Sequence, residues 1–459
     1  MIKEFEYKGI WWLPDNPEKR ISGTLRFTPN EGAILDLIGS IEDIKNMNKT
    51  LEPEIVLGIS SNGKNITLYK CFETKSSFSV PGFQTSSFYA DMVFIGAHFQ
   101  KSENIKFKSI SVHYLHLDEW ANISGFDIQR LPDREVVIKY KLPEPIKASI
   151  NDDYTIHIII KAKGPTLSVV QKEVSITQKT YIQIKALEEK SFEEYMKVMY
   201  HIQNFLSLGV MEPVYPLIIE GTAEVCKNMI GDTPYYPSIK IFYRLKNIST
   251  TVSKTLLPFN MLFTFRDISD RFEGFLKNWF GKAELLEPVY DLYFGTLYNP
   301  RMYLQNQFLS LVQAIESYHR RIMKNYESPE EEHDKRIEEI LNTIPEKNKE
   351  WLKSRLVYSN EPTLRERLRE IFDEYSKIVN NFIEDKKTFI QKVVVTRNYL
   401  THYDSSLKDQ AAEREELYHI TQKLKILLEV CLLAQLGFSF DDIKSLISRN
   451  KRYQHESIQ

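Results

Sequence analysis

The residues best suited to chemistry in this sequence are Arg397, Asn398 and His402, which share one short stretch in the C-terminal third of the chain. The guanidinium of arginine stays cationic and can donate two hydrogen bonds to one phosphate. Histidine gives and takes protons near neutral pH. Together they could cleave a phosphodiester without a metal ion. In RNA, the 2′-hydroxyl would attack the adjacent phosphate, His402 would move a proton, and Arg397 would stabilise the developing charge.

The spacing of these residues is not specific by itself, because arginine and histidine fall at similar separations by chance. The sequence holds two further matches: Arg414 with His419, and Arg449 with His455. The first match is favoured because a carboxamide, Asn398, directly follows Arg397. The valines at 393–395 also predict a buried turn just before it. The alternative interpretation of Arg397 and His402 is a solvated helix face.

Helical geometry limits how the two side chains can meet. On a straight helix, Asn398 and His402 are four residues apart and share one face. Arg397 and His402 are five apart, about 140° around the axis. Three solutions are open: Arg397 reaches round, the helix ends or distorts near His402, or a second copy of the chain completes the site. The third solution predicts a two-fold dimer with facing Arg and His sets.

Composition bounds the class of protein. The 459 residues suggest roughly two to four domains. The chain is 42% hydrophobic, which suits folded cores. We find no apolar run long enough to span a membrane and no apolar signal core at the start, so we expect a cytoplasmic protein without a membrane partner. A net charge of −2 means that nucleic-acid binding would need a local basic patch.

The elements that must position these residues change character along the chain. Residues 1–130 contain short predicted strands separated by turn signals, including an Asn62-Gly63 hairpin. This pattern predicts a sandwich or barrel. Residues 131–262 predict a second β-rich block with one helix. Residues 263–459 show helical periodicity. We therefore predict a multidomain chain: a β-rich, sandwich-like N-terminal region followed by an all-α bundle, with domain boundaries near 130 and 262.

Two further features of the sequence carry predictions. The charged segment 328–350, which contains Pro329 and Pro345, is expected to be a mobile connection carrying one short helix. The tryptophans Trp11, Trp12 and Trp120 are expected to pack in a core. The competing hypothesis is a carbohydrate- or ligand-binding sandwich, which requires Trp11 or Trp12 to be exposed.

Two parts of the chain resemble one family. Residues 7–14 (YKGIWWLP), 21–25, 35–39 and 63–68 are similar to the N-terminal domain of ApeA-type abortive-infection proteins. Residues 309–320 and 396–402 (TRNYLTH) resemble the HEPN domain that those proteins carry. The HEPN ribonuclease pattern maps onto Arg397, Asn398 and His402. The likeness covers most of the chain, although residues 130–260 match mainly by position.

The resemblance implies a metal-independent endoribonuclease that cleaves cellular RNA, with tRNA among the candidate substrates, and that acts as a homodimer through its HEPN domain. The N-terminal region would sense a phage-derived trigger and restrain the nuclease. Glu316 matches an acidic position of the subgroup. It could orient Arg397 or His402, or pair with another basic residue. Some relatives carry a cysteine-rich zinc site, but only Cys431 lies in this helical region, so we predict no zinc and no cofactor.

A different class of function stays open from the sequence. HEPN-like bundles can also be non-catalytic interaction or dimerisation modules that act with a separate partner. No nucleotidyltransferase motif is visible here, so that partner would be another chain. Absence of cleavage together with a stable heteromeric complex would favour this alternative.

Overall fold

The computed structural model describes residues 4–41, 51–78, 81–170, 172–245, 255–323 and 325–456. The chain divides into two compact units. The β-rich unit comprises Met1–Ser207, Val214–Leu257 and Thr264–Glu273. The helical unit comprises Leu208–Pro213, Pro258–Phe263 and Gly274–Gln459. Each unit has its own core of buried apolar residues.

The strands of the β-rich unit are mostly antiparallel neighbours of one long sheet. They are β1 (Phe5–Leu13), β2 (Asn16–Thr28), β3 (Gly32–Leu37), β4 (Ile55–Ser60), β5 (Asn65–Ser77), β6 (Thr85–Ile95), β7 (Lys106–Tyr114), β8 (Phe126–Arg130), β9 (Val136–Tyr140), β10 (Ile146–Ser149), β11 (Tyr154–Leu167), β12 (Val174–Ser191), β13 (Pro216–Thr222), β14 (Asn228–Ile230), β15 (Thr233–Tyr235) and β16 (Ile239–Tyr243). Two short hairpins, β8–β9 and β14–β15, stand outside that sheet.

The first six strands close into an antiparallel barrel. They run in the order β6-β3-β2-β1-β4-β5, and β5 pairs back onto β6. The predicted hairpin joins β4 to β5, with Gly63 at φ 78 in the left-handed region that glycine tolerates. Alternate residues of the strands fill the interior: Trp11, Leu25, Phe27, Leu35, Val56, Leu68, Phe88 and Val93. Of the two architectures expected, sandwich and barrel, this part of the chain adopts the barrel.

The sheet continues beyond the barrel from β6. It runs through β16, β13, β7, β12 and β11 to β10. β7 precedes residue 130, whereas its two neighbours, β12 and β13, follow it. Strands from both predicted β-rich blocks therefore share one sheet, and the boundary near residue 130 stays a prediction.

The tryptophans are core residues, as expected. The exposed fraction of the side chain is 0% for Trp11, 6% for Trp12 and 1% for Trp120. This burial contradicts the hypothesis of a carbohydrate-binding platform, which required an exposed Trp11 or Trp12. The alternation of the strand turns Trp11 into the barrel, where its ring lies against Gly58 and leaves no room for a Cβ there.

The helices begin in the β-rich unit and dominate the C-terminal part. They are α1 (Leu117–Ala121), α2 (Phe192–Val210), α3 (Phe265–Ile268), α4 (Phe272–Gly281), α5 (Ala283–Tyr298), α6 (Leu304–Ile322), α7 (Glu330–Thr343), α8 (Glu346–Leu356), α9 (Leu364–Glu374), α10 (Ser376–Val379), α11 (Lys386–His402), α12 (Arg414–Leu436), α13 (Phe440–Arg449) and α14 (Lys451–Glu456). The predicted order, a β-rich region followed by an all-α bundle, is confirmed.

The helical unit is organised around α6. This helix packs against α5, α9, α11 and α12, and α11 also packs against α9. The face that α6 buries carries apolar residues at helical spacing: Phe308, Leu311, Val312, Ile315 and Tyr318. The prediction of one short helix within 328–350 was wrong. Two helices, α7 and α8, fill this segment, because Pro329 and Pro345 each stand just before a helix, where a missing N–H costs nothing.

Candidate active site

Helix α11 carries the motif and is anchored at both ends. It begins at Asp385, whose carboxylate accepts a hydrogen bond from the Thr388 amide at 3.0 Å. Val393 and Val395 are buried, so the turn before the motif faces the core, as predicted. The buried Thr396 hydroxyl accepts a hydrogen bond from the Ala412 amide at 2.9 Å. These contacts fix the rotation of the helix and hence the directions of the motif side chains.

Arg397 is held by two acceptors. Its Nη2 donates to Glu316 Oε1 on α6 at 3.0 Å, and its Nη1 donates to Asn398 Oδ1 at 3.1 Å. The side chains of Arg397 and Glu316 are 29% and 30% exposed, so solvent reaches the pair. A guanidinium has five N–H donors. Donors not used by these two contacts remain available to an anion.

Glu316 therefore contacts Arg397, which is one of the arrangements left open by the sequence. Among the described residues, no hydrogen bond joins Glu316 to His402. The same carboxylate also acts at longer range on Arg367, where it opposes the lowering of the guanidinium pKa caused by burial and by Arg320. Glu316 thus interacts with two arginines of the helical unit, directly with Arg397 and at longer range with Arg367.

His402 is the last residue of α11 and is exposed. The helix ends there because Tyr403 adopts the left-handed conformation, at φ 51, and donates its amide to the Tyr399 carbonyl at 2.6 Å. The next residue, Asp404, has a lowered carboxyl pKa, mainly because the amide and hydroxyl of Ser406 donate to it, with a smaller contribution from His402.

Arg397 and His402 are not brought together within one chain. Both belong to the same helix, so their side chains leave the axis about 140° apart. Within the described part of the chain, no hydrogen bond connects them. Three predicted site residues, Arg397, Asn398 and Glu316, meet in one cluster. The fourth, His402, stands apart at the helix end.

A polar network around the buried His319 lies one turn further along α6 and was not predicted. The fully buried His319 ring contacts Glu370 Oε2 through Nε2 at 2.7 Å and Arg367 Nη1 through Nδ1 at 3.0 Å. Arg367 also donates to Glu361 at 3.1 Å. These partners fix the tautomer with the proton on Nε2, because a carboxylate accepts and a guanidinium donates. Burial lowers the pKa of His319, the bond to Glu370 opposes this, and Arg367 lowers it further.

The network was missed because its members come from helices far apart in sequence. His319 lies in the segment that carries the HEPN resemblance, three residues after Glu316, but nothing in its local sequence identifies Arg367 or Glu370 as partners. His319 and Arg367 are buried, Glu370 is exposed, and their contacts tie α6 to α9. They support the helix that presents Glu316 rather than contacting a ligand.

A cavity of about 560 Å³ opens beside the motif. We call it the tyrosine cavity. It is lined by Tyr303, Gln305 and Asn306 from the start of α6, by Tyr399, Leu400 and Tyr403 from the end of α11, and by Ala412, Glu413, Arg414 and Leu417 around the start of α12. The Tyr399 and Tyr403 rings are 5.7 Å apart at 66°. Three separate segments build this cavity, so no local sequence signal points to it.

A second cavity, of about 880 Å³, lies on the barrel strands. We call it the barrel cavity. Its charged lining consists of Lys8, Arg20, Arg26, Lys75 and Asp36, accompanied by serine and threonine hydroxyls. Arg26 is paired with Asp36. Arg20 lies over the Trp12 ring, 4.9 Å from its centroid. The lining is cationic overall.

The described residues contain neither a cluster of metal ligands nor a helix that could span a membrane. None of their His, Cys, Asp and Glu side chains form a group of three or more placed to hold a metal ion. The cysteine thiols are free, and burial raises the pKa of Cys431. Across the same ranges, every helix is too short or too polar to cross a bilayer.

Comparison with known families gives two matches. The family ApeA N-terminal domain 1 matches residues 6–279, and the family Apea-like HEPN matches residues 309–442. No curated protein and no solved structure matches the chain. The HEPN match contains Glu316 and the whole of α11. It leaves Tyr303, Gln305 and Asn306 of the tyrosine cavity outside.

Proposed function

Because this chain belongs to the ApeA family, as a defence-related protein with an ApeA N-terminal domain 1 and an Apea-like HEPN domain, we propose that its helical unit is an endoribonuclease acting against phage infection. The observation that carries this proposal is the Glu316–Arg397 contact at 3.0 Å. It holds a partly exposed guanidinium on the helix that ends at the exposed His402. Arg397, Asn398, His402 and Glu316 are the proposed site residues.

The proposed reaction is an internal attack that needs no metal ion. The 2′-oxygen forms a bond to phosphorus while the bond from phosphorus to the 5′-oxygen breaks. His402 takes the proton of the 2′-hydroxyl, and a histidine returns a proton to the leaving 5′-oxygen. Arg397 donates to the phosphoryl oxygens, where negative charge increases. The products are a 2′,3′-cyclic phosphate and a 5′-hydroxyl, and DNA is not a substrate because it lacks the nucleophile.

The angle between the motif side chains supports a homodimer. One chain presents Arg397 and His402 about 140° apart on a single helix. A two-fold dimer of HEPN domains would place the Arg397 of one copy near the His402 of the other. Each site would then contain the guanidinium and the imidazole that a single copy separates.

A mixing experiment tests this composite site. Arg397→Ala and His402→Ala proteins, each inactive alone, are mixed under conditions that exchange subunits. If Arg and His come from different chains, a mixed dimer retains one intact site and part of the cleavage activity returns. If they come from the same chain, each site of the mixed dimer lacks either Arg397 or His402, and the mixture stays inactive.

The β-rich unit is proposed to sense a phage-derived trigger and to restrain the nuclease. Supporting this role, the barrel cavity presents Lys8, Arg20, Arg26 and Lys75 against one carboxylate, Asp36, so an acidic ligand would be complementary to it. A Lys8→Glu, Lys75→Glu protein should then need more infected-cell lysate for activation. Basal cleavage should not change.

The direct test compares wild-type protein with His402→Ala on total cellular RNA in the presence of EDTA, with cut sites and 3′ ends mapped. The expected result is cleavage by the wild type alone, with cyclic phosphate ends, and the map identifies the RNA, tRNA included. Equal cleavage by both proteins would exclude His402. No cleavage by either, even with lysate from infected cells, would favour the non-catalytic interaction module.

A further inference from the structure

We propose that the tyrosine cavity is a nucleobase-binding subsite for a single-stranded RNA. This inference rests on the proposed function, since it names the form in which the RNA is held beside Arg397 and His402. The cavity borders the motif directly: Tyr399 lies two residues after Arg397, and Tyr403 follows His402. A strand whose phosphate is at the motif would bring a neighbouring base to these rings.

The tyrosines are placed to stack rather than to fill a core. Tyr303 is 79% exposed and Tyr403 is 70% exposed, whereas core aromatic residues of the same unit such as Trp279, Tyr293 and Tyr318 are buried. Bases that are unpaired in single-stranded RNA are commonly bound on such exposed aromatic faces. The volume of about 560 Å³ is within the usual range for small-ligand sites.

The charges and amides of the lining suit an uncharged, polar-edged ligand. One cation, Arg414, and one anion, Glu413, balance each other, unlike the cationic barrel cavity. The side-chain amides of Gln305 and Asn306 are exposed and form no hydrogen bond within the described ranges. Amides and carboxylates are the groups that read base edges, including exocyclic amino groups. The lining offers no net positive charge to a phosphate. It does offer aromatic rings on which a base can stack and amide groups that can bind its edge.

Backbone conformation provides an independent observation. Tyr403 and Arg414 both have φ 51, in the left-handed region that residues with a side chain seldom adopt. Both line the tyrosine cavity. Such conformations persist where the surroundings impose them, and they concentrate at ligand sites. The left-handed conformation of Tyr403 ends α11, and that of Arg414 begins α12. Both helix ends therefore lie at the cavity.

The test measures RNA binding in a protein that cannot cut. The full chain with His402→Ala is titrated into a short fluorescein-labelled single-stranded RNA, and the dissociation constant is read from anisotropy. Adding Tyr303→Ala or Tyr403→Ala should weaken binding on the order of tenfold each, because each removes a stacking face. Tyr403→Phe keeps the ring and should bind within about twofold of the parent. The same RNA paired as a duplex should compete poorly.

The matched control is Tyr358→Ala. Tyr358 is 74% exposed and belongs to the same unit, but it does not line the cavity, so its removal should leave binding unchanged. Unchanged binding in the Tyr303 and Tyr403 variants, an equal loss in the Tyr358 variant, or no RNA binding by the parent would each overturn the inference.

Failure of the subsite and failure of the nuclease give different results. If wild-type protein cleaves RNA but Tyr303→Ala and Tyr403→Ala leave KM and the base preference at the cut unchanged, the subsite is wrong and the nuclease stands. If no condition gives cleavage while the tyrosine variants still lose RNA affinity, the subsite stands and the catalytic proposal falls.

Discussion

Trp11 of the barrel and two tyrosines of the helical unit are placed in opposite ways. In the barrel, Trp11 is fully buried against Gly58, where a Cβ would come within 2.2 Å of the indole ring. In the helical unit, Tyr303 and Tyr403 are mostly exposed and line a cavity beside the motif. The N-terminal aromatic content had left a binding platform open as the competing hypothesis, but the tryptophans pack in a core, as expected. The difference shows that the role of an aromatic ring depends on the direction in which its strand or helix end points it. Composition alone does not predict that direction.

The polar residues repeat this contrast within the helical unit alone. His319 is buried, has partners at both ring nitrogens and holds two helices together. His402 is exposed at the end of α11. A buried, fully paired histidine contributes to stability, whereas an exposed one at a helix end is free to contact a substrate. The following substitutions separate structural residues from those proposed to act on RNA.

The largest expected effect is on catalysis alone. His402→Ala should reduce RNA cleavage by about 10²–10⁴-fold, because it removes the proton-transfer group. It should change the free energy of unfolding by less than about 0.5 kcal/mol, since the side chain is exposed. His419→Ala is the matched control, because His419 stands at the same spacing from Arg414 but on α12. Equal losses of cleavage in both variants would break the contrast.

The next effect is on stability alone. Trp11→Ala should destabilise the β-rich unit by about 3–5 kcal/mol, because it leaves a cavity in the barrel core. Tyr403→Ala should change stability by less than about 0.5 kcal/mol, since its ring is largely solvated. Urea unfolding, followed by a probe in each unit, measures both. A loss for Tyr403→Ala comparable to that for Trp11→Ala would mean that the exposed ring is structural after all.

Local sequence signals predicted the local structure well. The helical period of the C-terminal part predicted its helices, Asn62-Gly63 predicted a hairpin, and the valines at 393–395 predicted a buried turn. The misassigned segment 328–350 shows where such signals are ambiguous. Proline ends a helix that precedes it but starts one that follows it, and the sequence alone did not decide between the two.

Contacts between distant segments were beyond local signals. The barrel closes where β5 meets β6, and β7 pairs with strands from beyond residue 130. The Glu316–Arg397 contact joins residues 81 apart, and only the family resemblance had singled out Glu316. The tyrosine cavity needs three segments at once. Such features depend on packing of whole elements, which periodicity and turn residues do not encode.

A moderate effect is expected from weakening the support of Arg397. Glu316→Gln keeps the size of the side chain but removes its charge, so the hydrogen bond to Arg397 loses about 1 kcal/mol, and cleavage should fall roughly five- to tenfold. Glu416→Gln is the matched control, because Glu416 of α12 pairs at 2.9 Å with Lys392 of α11, the helix that carries Arg397, and not with a residue of the motif. Equal rates for Glu316→Gln and wild type would remove Glu316 from the proposed site.

The smallest effect is on the acid stability of the helical unit. Burial lowers the pKa of His319 below its ordinary 6.5, so the unfolded chain binds a proton there more readily than the folded chain. Stability from this group is therefore fully present above about pH 6.5 and falls as the pH drops below it. His319→Gln can still donate to Glu370 and accept from Arg367, but it does not titrate. Its unfolding transition in the helical unit should therefore depend less on pH in that window than the wild-type transition.

The β-rich unit keeps its own buried histidines with lowered pKa, His113 and His157, so its acid response should be unchanged. An unaltered pH response of the helical unit in His319→Gln would show that other groups control it, and would weaken the distinction drawn between His319 and His402.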